Sequence, residues 1–264
     1  MPSPTSVLQV SGLKAGYDGR AVLDGVDLDV AQGEIRVVLG GSGCGKSTLL
    51  KNVTGLERPW EGEVDLLGQK LDWSQGRPSD SIFEKIGVLF QGGALLSSMT
   101  VGENVGLPLR LRHPDWPVGV RQELVRYKLS QVRLDYAENL FPGELSGGMR
   151  KRAGLARALV ADPKLLFCDE PSAGLDPITS RGLDDLLLEL RAALGITMVV
   201  VTHELDSIRA LADKVTFLSA GKVLFDGTLA DAESLAPAEV RGFLHREPEA
   251  LASASGRMSF QFED

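Results

Sequence analysis

Apolar residues recur along the chain in short runs that have the length of β-strands. Residues 7–10 open the series, and residues 22–30 continue it with an alternation of apolar and acidic side chains that is typical of a half-buried strand. Later runs are almost continuously apolar and predict buried strands; they cover residues 35–39 (interrupted by Arg36), 86–90, 165–168 and 198–201.

Helical periodicity lies between several of these strands. A helix is expected from about Lys46 to Gly55. A second helix is expected between the last two strands, because leucines recur there on one helical face: Leu183, Leu186, Leu187, Leu190 and Leu194. Strands that alternate with helices indicate an α/β fold, with a mostly parallel sheet covered on both sides.

The stretch from about residue 101 to 160 has only helical periodicity. Val125, Leu129 and Val132 mark one amphipathic helix, residues 147–160 mark another, and no strand pattern lies between them. We expect a helical subdomain of about residues 92–160 inserted into a domain of residues 1–245. A short amphipathic helix begins near residue 238, and residues 246–264 are interpreted as a C-terminal tail.

Composition narrows the class of protein. The 264 residues carry a net charge of −8, which argues against non-specific nucleic-acid binding. The two cysteines are a poor basis for disulfide cross-linking, and residues 1–5 lack the basic and apolar regions of a secretory signal. No apolar run approaches the roughly 18 residues of a membrane span. We expect a cytoplasmic protein that reaches a membrane only through a partner.

A glycine-rich segment after the strand at 35–39 has the spacing of a phosphate-binding P-loop. Glycines let backbone N–H groups curl around phosphates, because a Cβ atom would block so close an approach. Lys46 is expected to reach the terminal phosphates and the Ser47 hydroxyl to bind Mg²⁺. The segment consists of Gly40, Gly41, Ser42, Gly43, Cys44, Gly45, Lys46 and Ser47.

The strand at 165–168 ends in two acidic residues. Such a buried strand delivers Asp169 to the metal, and Glu170 stands where it can orient and deprotonate an attacking water. Together with the P-loop, these residues predict nucleotide hydrolysis.

Residues 145–149 read Leu-Ser-Gly-Gly-Met before a predicted helix. Ser146, Gly147 and Gly148 leave N–H groups unpaired at the positive end of a helix dipole, which suits an anion. The segment resembles the signature sequence of ATP-binding-cassette (ABC) ATPases, where Gln is commoner than Met149. The resemblance covers about residues 7–245. It implies a P-loop NTPase (RecA-like) cassette with an antiparallel β subdomain and an inserted α-helical subdomain.

The resemblance also implies roles for single residues. Tyr17 matches the aromatic residue that stacks on adenine, and Thr48 follows the P-loop at an ATP-binding position. Gln91 matches the glutamine that senses the metal and the attacking water. Asp176 belongs to the D-loop, residues 172–176, and His203 matches the switch histidine that contacts the γ-phosphate. The implied catalytic residues are Lys46, Gln91, Glu170 and His203, and the implied metal ligands are Ser47, Gln91 and Asp169.

One P-loop and one signature occur in the chain. In ABC proteins the signature of one subunit, here Ser146 to Met149, caps the ATP held by the P-loop of the other. The resemblance therefore implies a head-to-tail pair that sandwiches two ATP molecules with Mg²⁺. The second member is another copy or, alternatively, a similar subunit.

Two local features concern the cargo. The signature continues Met149-Arg150-Lys151-Arg152, and the residues after Gln91 run Gly-Gly-Ala-Leu-Leu-Ser-Ser-Met. Both are similar to the Mla-type ATPases, which traffic phospholipids together with a permease and an MCE-domain protein. Residues 92–99 are uncharged, so we expect an apolar dock for a permease helix there, sensitive to a charge introduced at Leu96. The location implied is peripheral, on the inner face of the cell membrane.

Other classes of ABC protein stay open as alternatives. Methionine importers have a similar Gln91 region, but they carry a further C-terminal regulatory domain. Non-transport cassettes of DNA repair insert long coiled coils between P-loop and signature, and translation-associated cassettes hold two cassettes in one chain. The direction of transport is not indicated by any of these motifs.

Overall fold

The computed structural model describes residues 5–246, and in this range the chain forms two sheets. The first sheet is antiparallel and has the strand order β2-β1-β4-β5. Its buried positions alternate with exposed ones along β2, as the apolar–acidic alternation predicts. The strands are β1 (Ser6–Tyr17), β2 (Arg20–Ala31), β4 (Glu61–Leu66) and β5 (Gln69–Lys70).

The second sheet has six strands in the order β10-β9-β3-β8-β7-β6. All neighbours are parallel except the hairpin of β9 and β10. The four predicted buried strands are therefore confirmed as one parallel set. The strands are β3 (Ile35–Gly40), β6 (Ile86–Leu89), β7 (Leu165–Asp169), β8 (Thr197–Val201), β9 (Lys214–Ser219) and β10 (Lys222–Thr228).

Apolar cores cover both faces of the six-stranded sheet. Along β3, Val37 belongs to the core formed with most of the helices, whereas Val38 belongs to the core formed with the antiparallel sheet and the first helix. Arg36 is buried in the same strand and donates hydrogen bonds to Glu34 and Asp226. A buried guanidinium with such partners is tolerated inside a sheet.

Helices connect the parallel strands, and the leucine-rich one, α6, lies where it was expected. Its Leu183, Leu186, Leu187 and Leu190 are buried. Leu194 is 40% exposed because α6 ends there, before Gly195 in left-handed conformation. The helices outside the inserted region are α1 (Lys46–Val53), α2 (Asp80–Phe83), α6 (Pro177–Leu194), α7 (Leu205–Leu211), α8 (Leu229–Ser234) and α9 (Ala238–His245).

Between β6 and β7 the chain forms α3 (Val101–Arg112), α4 (Val118–Gln131) and α5 (Gly147–Leu159), with no strand among the described residues of this stretch. Helix α3 was not predicted, because Pro108 and two glycines obscure its periodicity. Its start was nevertheless visible in Thr100 and Glu103, which form a capping box.

No helix within residues 5–246 is long and apolar enough to cross a membrane. The predicted C-terminal tail lies, apart from Arg246, outside the described residues.

Candidate active site

The glycine-rich loop joins β3 to α1 in a turn that only glycine permits at two positions. A Cβ atom on Gly40 would lie 2.1 Å from the carbonyl oxygen of Leu218, on the neighbouring strand β9. Gly45, with φ of 111°, would place a Cβ 2.5 Å from the Leu23 side chain. No side chain caps the N-terminus of α1, so its N–H groups stay open to an anion.

Lys46 lies across this loop. Its Nζ donates hydrogen bonds to the carbonyl oxygens of Gly40 (2.8 Å) and Gly41 (2.9 Å) and lies 3.8 Å from Cys44 Sγ. The ammonium is thus held at the loop that the motif assigns to phosphates. Phosphate oxygens accept stronger hydrogen bonds than carbonyl oxygens do, because they are charged.

Glu170 follows β7 in an unusual backbone conformation. Its φ is 47°, which is uncommon for a residue other than glycine. Its N–H donates to the carbonyl oxygen of Val201, at the end of β8, over 2.8 Å. One carboxylate oxygen lies 2.8 Å from Nδ1 of His203, and the other is buried with no hydrogen-bond partner among the described residues. An oxygen of this kind can accept a proton from a bound water.

Asp169 ends β7 beside Glu170. Burial raises the pKa of the Asp169 carboxyl, and the charge of Glu170 raises it further, whereas the ammonium groups of Lys151 and Lys46 oppose the rise. A cation bound nearby would restore the charged carboxylate.

These residues line one cleft of about 680 Å³ at the C-terminal edge of the parallel strands. This is where open α/β sheets usually bind ligands. Most of the residues that were predicted to act on the nucleotide of their own chain line this cleft. They are Gly40, Gly41, Ser42, Gly43, Lys46, Ser47, Gln91, Asp169, Glu170 and His203. His203 presents 58% of its side chain to solvent at the mouth.

Two P-loop residues and the residue that follows the loop do not line the cleft. Cys44, Gly45 and Thr48 are buried and are not among its lining residues. They support the loop from within.

Tyr17 also lies outside the cleft. Its hydroxyl is hydrogen-bonded to Glu57 (2.7 Å), and the Lys51 ammonium lies 5.4 Å from its ring centre. The side chain remains partly exposed, so stacking on adenine stays a prediction.

The signature residues are separate from the cleft of their own chain. Ser146 caps α5 by accepting a hydrogen bond from the Met149 N–H (3.3 Å). A Cβ on Gly148 would lie 2.5 Å from the Thr179 side chain, so this glycine lets α5 approach α6 closely. Asp176 caps α6 by accepting from the N–H groups of Ile178 and Thr179.

The structure adds residues that the sequence analysis missed. Glu204, Leu205, Phe243 and Arg246 line the cleft; the last two come from α9 and its C-terminal end. Lys151, on α5, is buried and donates to the backbone of Gln91 and Glu170. The spacing of Gly148, Lys151 and Leu155 on one buried helical face was the available signal.

The donor set fits a magnesium ion that arrives with a nucleotide. Hydroxyl, amide and carboxylate oxygens are ligands that Mg²⁺ takes, and Ser47, Gln91 and Asp169 offer one of each along the cleft.

The chain is similar to one protein-family model and to curated transport proteins. The family model described as "ABC transporter" matches residues 23–173. The "Probable ribonucleotide transport ATP-binding protein mkl" of Mycobacterium leprae is 40% identical over 211 residues, which is 80% of this chain and 60% of that protein. The "Methionine import ATP-binding protein MetN" of Halalkalibacterium halodurans is 40% identical over 218 residues, which is 83% of this chain and 64% of that protein. The chain thus spans about three-fifths of the length of these curated relatives.

Solved structures agree with the fold. The "ATP-binding cassette MJ0796 bound to ADP and Pi", a dimeric post-hydrolysis state, superposes with a TM-score of 0.75 at 30% identity, covering 84% of this chain and 98% of that one. The structure of cbiO1 from Clostridium perfringens, described as part of the transporter complex cbiONQ, superposes with a TM-score of 0.77 at 29% identity and covers 96% of each chain.

Proposed function

The chain belongs to the ABC transporter family as one of its ATPase cassettes, and we propose that two copies of it hydrolyse ATP to power a permease that moves phospholipid. The main support for ATP hydrolysis is one cleft that is lined by Lys46, Ser47, Asp169, Glu170 and His203.

Each of the cleft residues has a separate role in the proposed hydrolysis. Lys46 and the loop N–H groups bind the phosphates, and Glu170 orients the attacking water and accepts its proton. His203, held by its 2.8 Å contact with Glu170, would contact the γ-phosphate of a bound ATP. Mg²⁺, when bound to Ser47, Gln91 and Asp169, supplies charge neutralisation on the phosphates.

The proposed pairing follows from the position of the signature. The N-terminus of α5 is not part of the cleft of its own chain, and Ser146 is exposed there, so it is available to a nucleotide held by a second copy. MJ0796 is described as dimeric. ATP then favours the closed pair because it binds that state better than the open one.

An apolar groove of about 580 Å³ supports a permease partner. Leu111, 72% exposed, and Leu107 of α3 line it together with Phe83 and Phe90. We place the dock at this groove instead of on residues 92–99, of which Ala94 alone lines it. Leu96 lies outside the groove, with its N–H bonded to the Asn104 side chain (2.7 Å). An exposed apolar groove suits a short amphipathic helix.

Phospholipid as cargo is supported by the Met149-type signature and by the residues that follow Gln91, which resemble those of Mla-type ATPases. On the same resemblance, an MCE-domain protein completes the complex, at the inner face of the cell membrane. A second candidate is import of a small solute, because the curated relatives are named for ribonucleotide transport and for methionine import.

The test is to purify the native complex from membranes through a tag on this chain, with the Lys46→Ala variant as a matched control for ATP dependence. Mass spectrometry identifies the co-purified proteins and lipids. A permease with bound phospholipid, and ATPase activity that phospholipid stimulates, is the expected result. A permease whose ATPase activity responds to methionine or a nucleotide would establish the second candidate instead.

A further inference from the structure

We propose that Lys151 is a positioning residue for ATP hydrolysis, because its ammonium ties helix α5 to the backbone of Gln91 and of Glu170. The inference rests on the proposed hydrolysis at this cleft, and it adds a residue that none of the cassette motifs above assigns. It also gives a physical route from the signature to the catalytic carboxylate.

The contacts of Lys151 join three separate parts of the chain. Lys151 lies on α5 two residues after the signature and is only 5% exposed. Its Nζ donates to the carbonyl oxygen of Glu170 over 2.7 Å and to the carbonyl oxygen of Gln91. These carbonyls follow β7 and β6, so one ammonium bridges the ends of two neighbouring strands.

The electrostatic environment shows why a cation is retained in this place. Burial lowers the pKa of Lys151, whereas the charges of Glu170 and Asp169 favour the ammonium form. A buried charge is kept only where opposite charge and hydrogen bonds offset its desolvation, and here both are present.

Further contacts fix the loop after Gln91 to the same helix. Arg157 of α5 donates to the carbonyl oxygens of Gly93 and Ala94, each over 2.7 Å. A Cβ on Gly154 would lie 3.0 Å from both Cα and O of Gly93, so helix and loop are packed backbone to backbone. The loop and α5 therefore move together, and Lys151 extends this unit to Glu170.

The backbone of Glu170 needs such anchors. Its φ of 47° costs conformational energy, which surrounding contacts must hold in place. One anchor is its N–H bond to Val201, and the other is the Lys151 bond to its carbonyl oxygen. Without the second, the peptide can relax and carry the carboxylate away from the position where it orients water. Displacements of about 1 Å cost on the order of a hundredfold in rate.

The experiment compares Lys151→Met, which keeps the length and loses the donor, with Lys151→Arg, which keeps charge and donors. Lys128→Met is the matched control. Lys128 is also a buried lysine on an inserted helix, but its ammonium pairs with Asp162 (2.6 Å). Neither Lys128 nor Asp162 lines the cleft. Steady-state ATPase kinetics give kcat and KM, and equilibrium binding of a fluorescent ATP analogue gives Kd.

For Lys151→Met we expect kcat at least about tenfold below wild type with Kd within about twofold, because positioning and not binding is lost. Lys151→Arg should recover kcat to within about threefold, and Lys128→Met should keep the wild-type kcat. Wild-type kcat in a folded Lys151→Met would overturn the inference, as would an equal fall in kcat in Lys128→Met.

If Lys151→Met does not fold, Lys151→Gln takes its place. Its shorter, uncharged amide reaches one carbonyl at most, so a reduced kcat with unchanged Kd is expected, and wild-type kcat would overturn the inference. The Lys151 variants can overturn this inference alone. If the wild-type protein does not hydrolyse ATP, the proposed function is overturned together with this inference.

Discussion

Asp184 is a buried carboxyl group of α6 that connects the D-loop with the helix after His203. One carboxylate oxygen accepts a hydrogen bond from Ser207 of α7 (2.8 Å), and the Ser207 hydroxyl lies 3.1 Å from that of Ser172 in the D-loop. The other oxygen has no partner among the described residues, and the residue is 2% exposed. Replacing Asp184 by Asn keeps the acceptor for Ser207 and removes the titration.

Burial raises the pKa of Asp184 from an ordinary 3.8 to about 6. A carboxyl that binds its proton more tightly in the folded state stabilises the fold most at low pH, below 3.8, and this stabilisation is lost as the pH rises through 6. The full loss is about 3 kcal/mol, since each pK unit is worth about 1.4 kcal/mol. About 1.4 kcal/mol of it falls between pH 5 and pH 8.

Urea unfolding of wild type and of Asp184→Asn at pH 5, 6, 7 and 8 measures this loss. The free energy of unfolding of the variant minus that of wild type should rise by about 1.4 kcal/mol from pH 5 to pH 8. Leu187→Ala is the control, because it disturbs the same buried face of α6 without removing a titratable group, so its difference from wild type should stay flat. A difference for Asp184→Asn that changes by less than about 0.3 kcal/mol over this range would refute the reasoning.

Two further predictions concern the loop and the groove. Alkylation of Cys44 with N-ethylmaleimide should abolish hydrolysis and ATP should protect, because an adduct on Sγ lies beside Lys46. Cys168 should not react, since burial raises its pKa to about 12. Peptide mass spectrometry checks both sites, Cys44→Ala is the insensitive control, and full activity after complete Cys44 modification would contradict the prediction. Leu111→Glu should lower co-purification of a permease at least about fivefold with unchanged ATP binding, because it buries a charge in the groove. Leu96→Glu, outside the groove, should have a smaller effect; the reverse order of the two variants would show that the dock lies on residues 92–99.

The parallel sheet was predictable from the sequence because strands buried on both faces are continuous apolar runs. Helix α6 was predictable because a long amphipathic helix repeats its leucines over several turns. Helix α3 was not, since its periodicity is broken by Pro108, although the capping residues at its start are visible in the sequence. The groove could not be predicted either, because it combines Leu56, Phe90 and Leu111 with Ala158, which are distant in sequence and meet only in the fold.

The P-loop, Asp169 and Glu170 were predictable from the residue pattern because they follow buried strands, and parallel strands present their ends at one edge. Gln91 and His203 were predicted from the family resemblance. The role of Lys151 was not predictable, because a lysine beside two arginines is usually a solvated position. The packing of α5 against β6 and the hydrogen bonds of Nζ to Gln91 and Glu170 show that its ammonium points inward. Arg246 was missed for a similar reason, since α9 returns to the cleft from the far end of the chain.

The central claim is that ATP hydrolysis takes place between two copies of this chain and depends on Glu170. The most direct measurement is the mass and nucleotide content of Glu170→Gln in Mg²⁺ and ATP, by size-exclusion chromatography with light scattering. Gln keeps the shape of the side chain but cannot accept the proton of the attacking water. We predict a stable dimer with one unhydrolysed ATP per chain and a kcat at least about a hundredfold below wild type. A monomer that binds ATP, or a variant that hydrolyses ATP at the wild-type rate, would contradict the account.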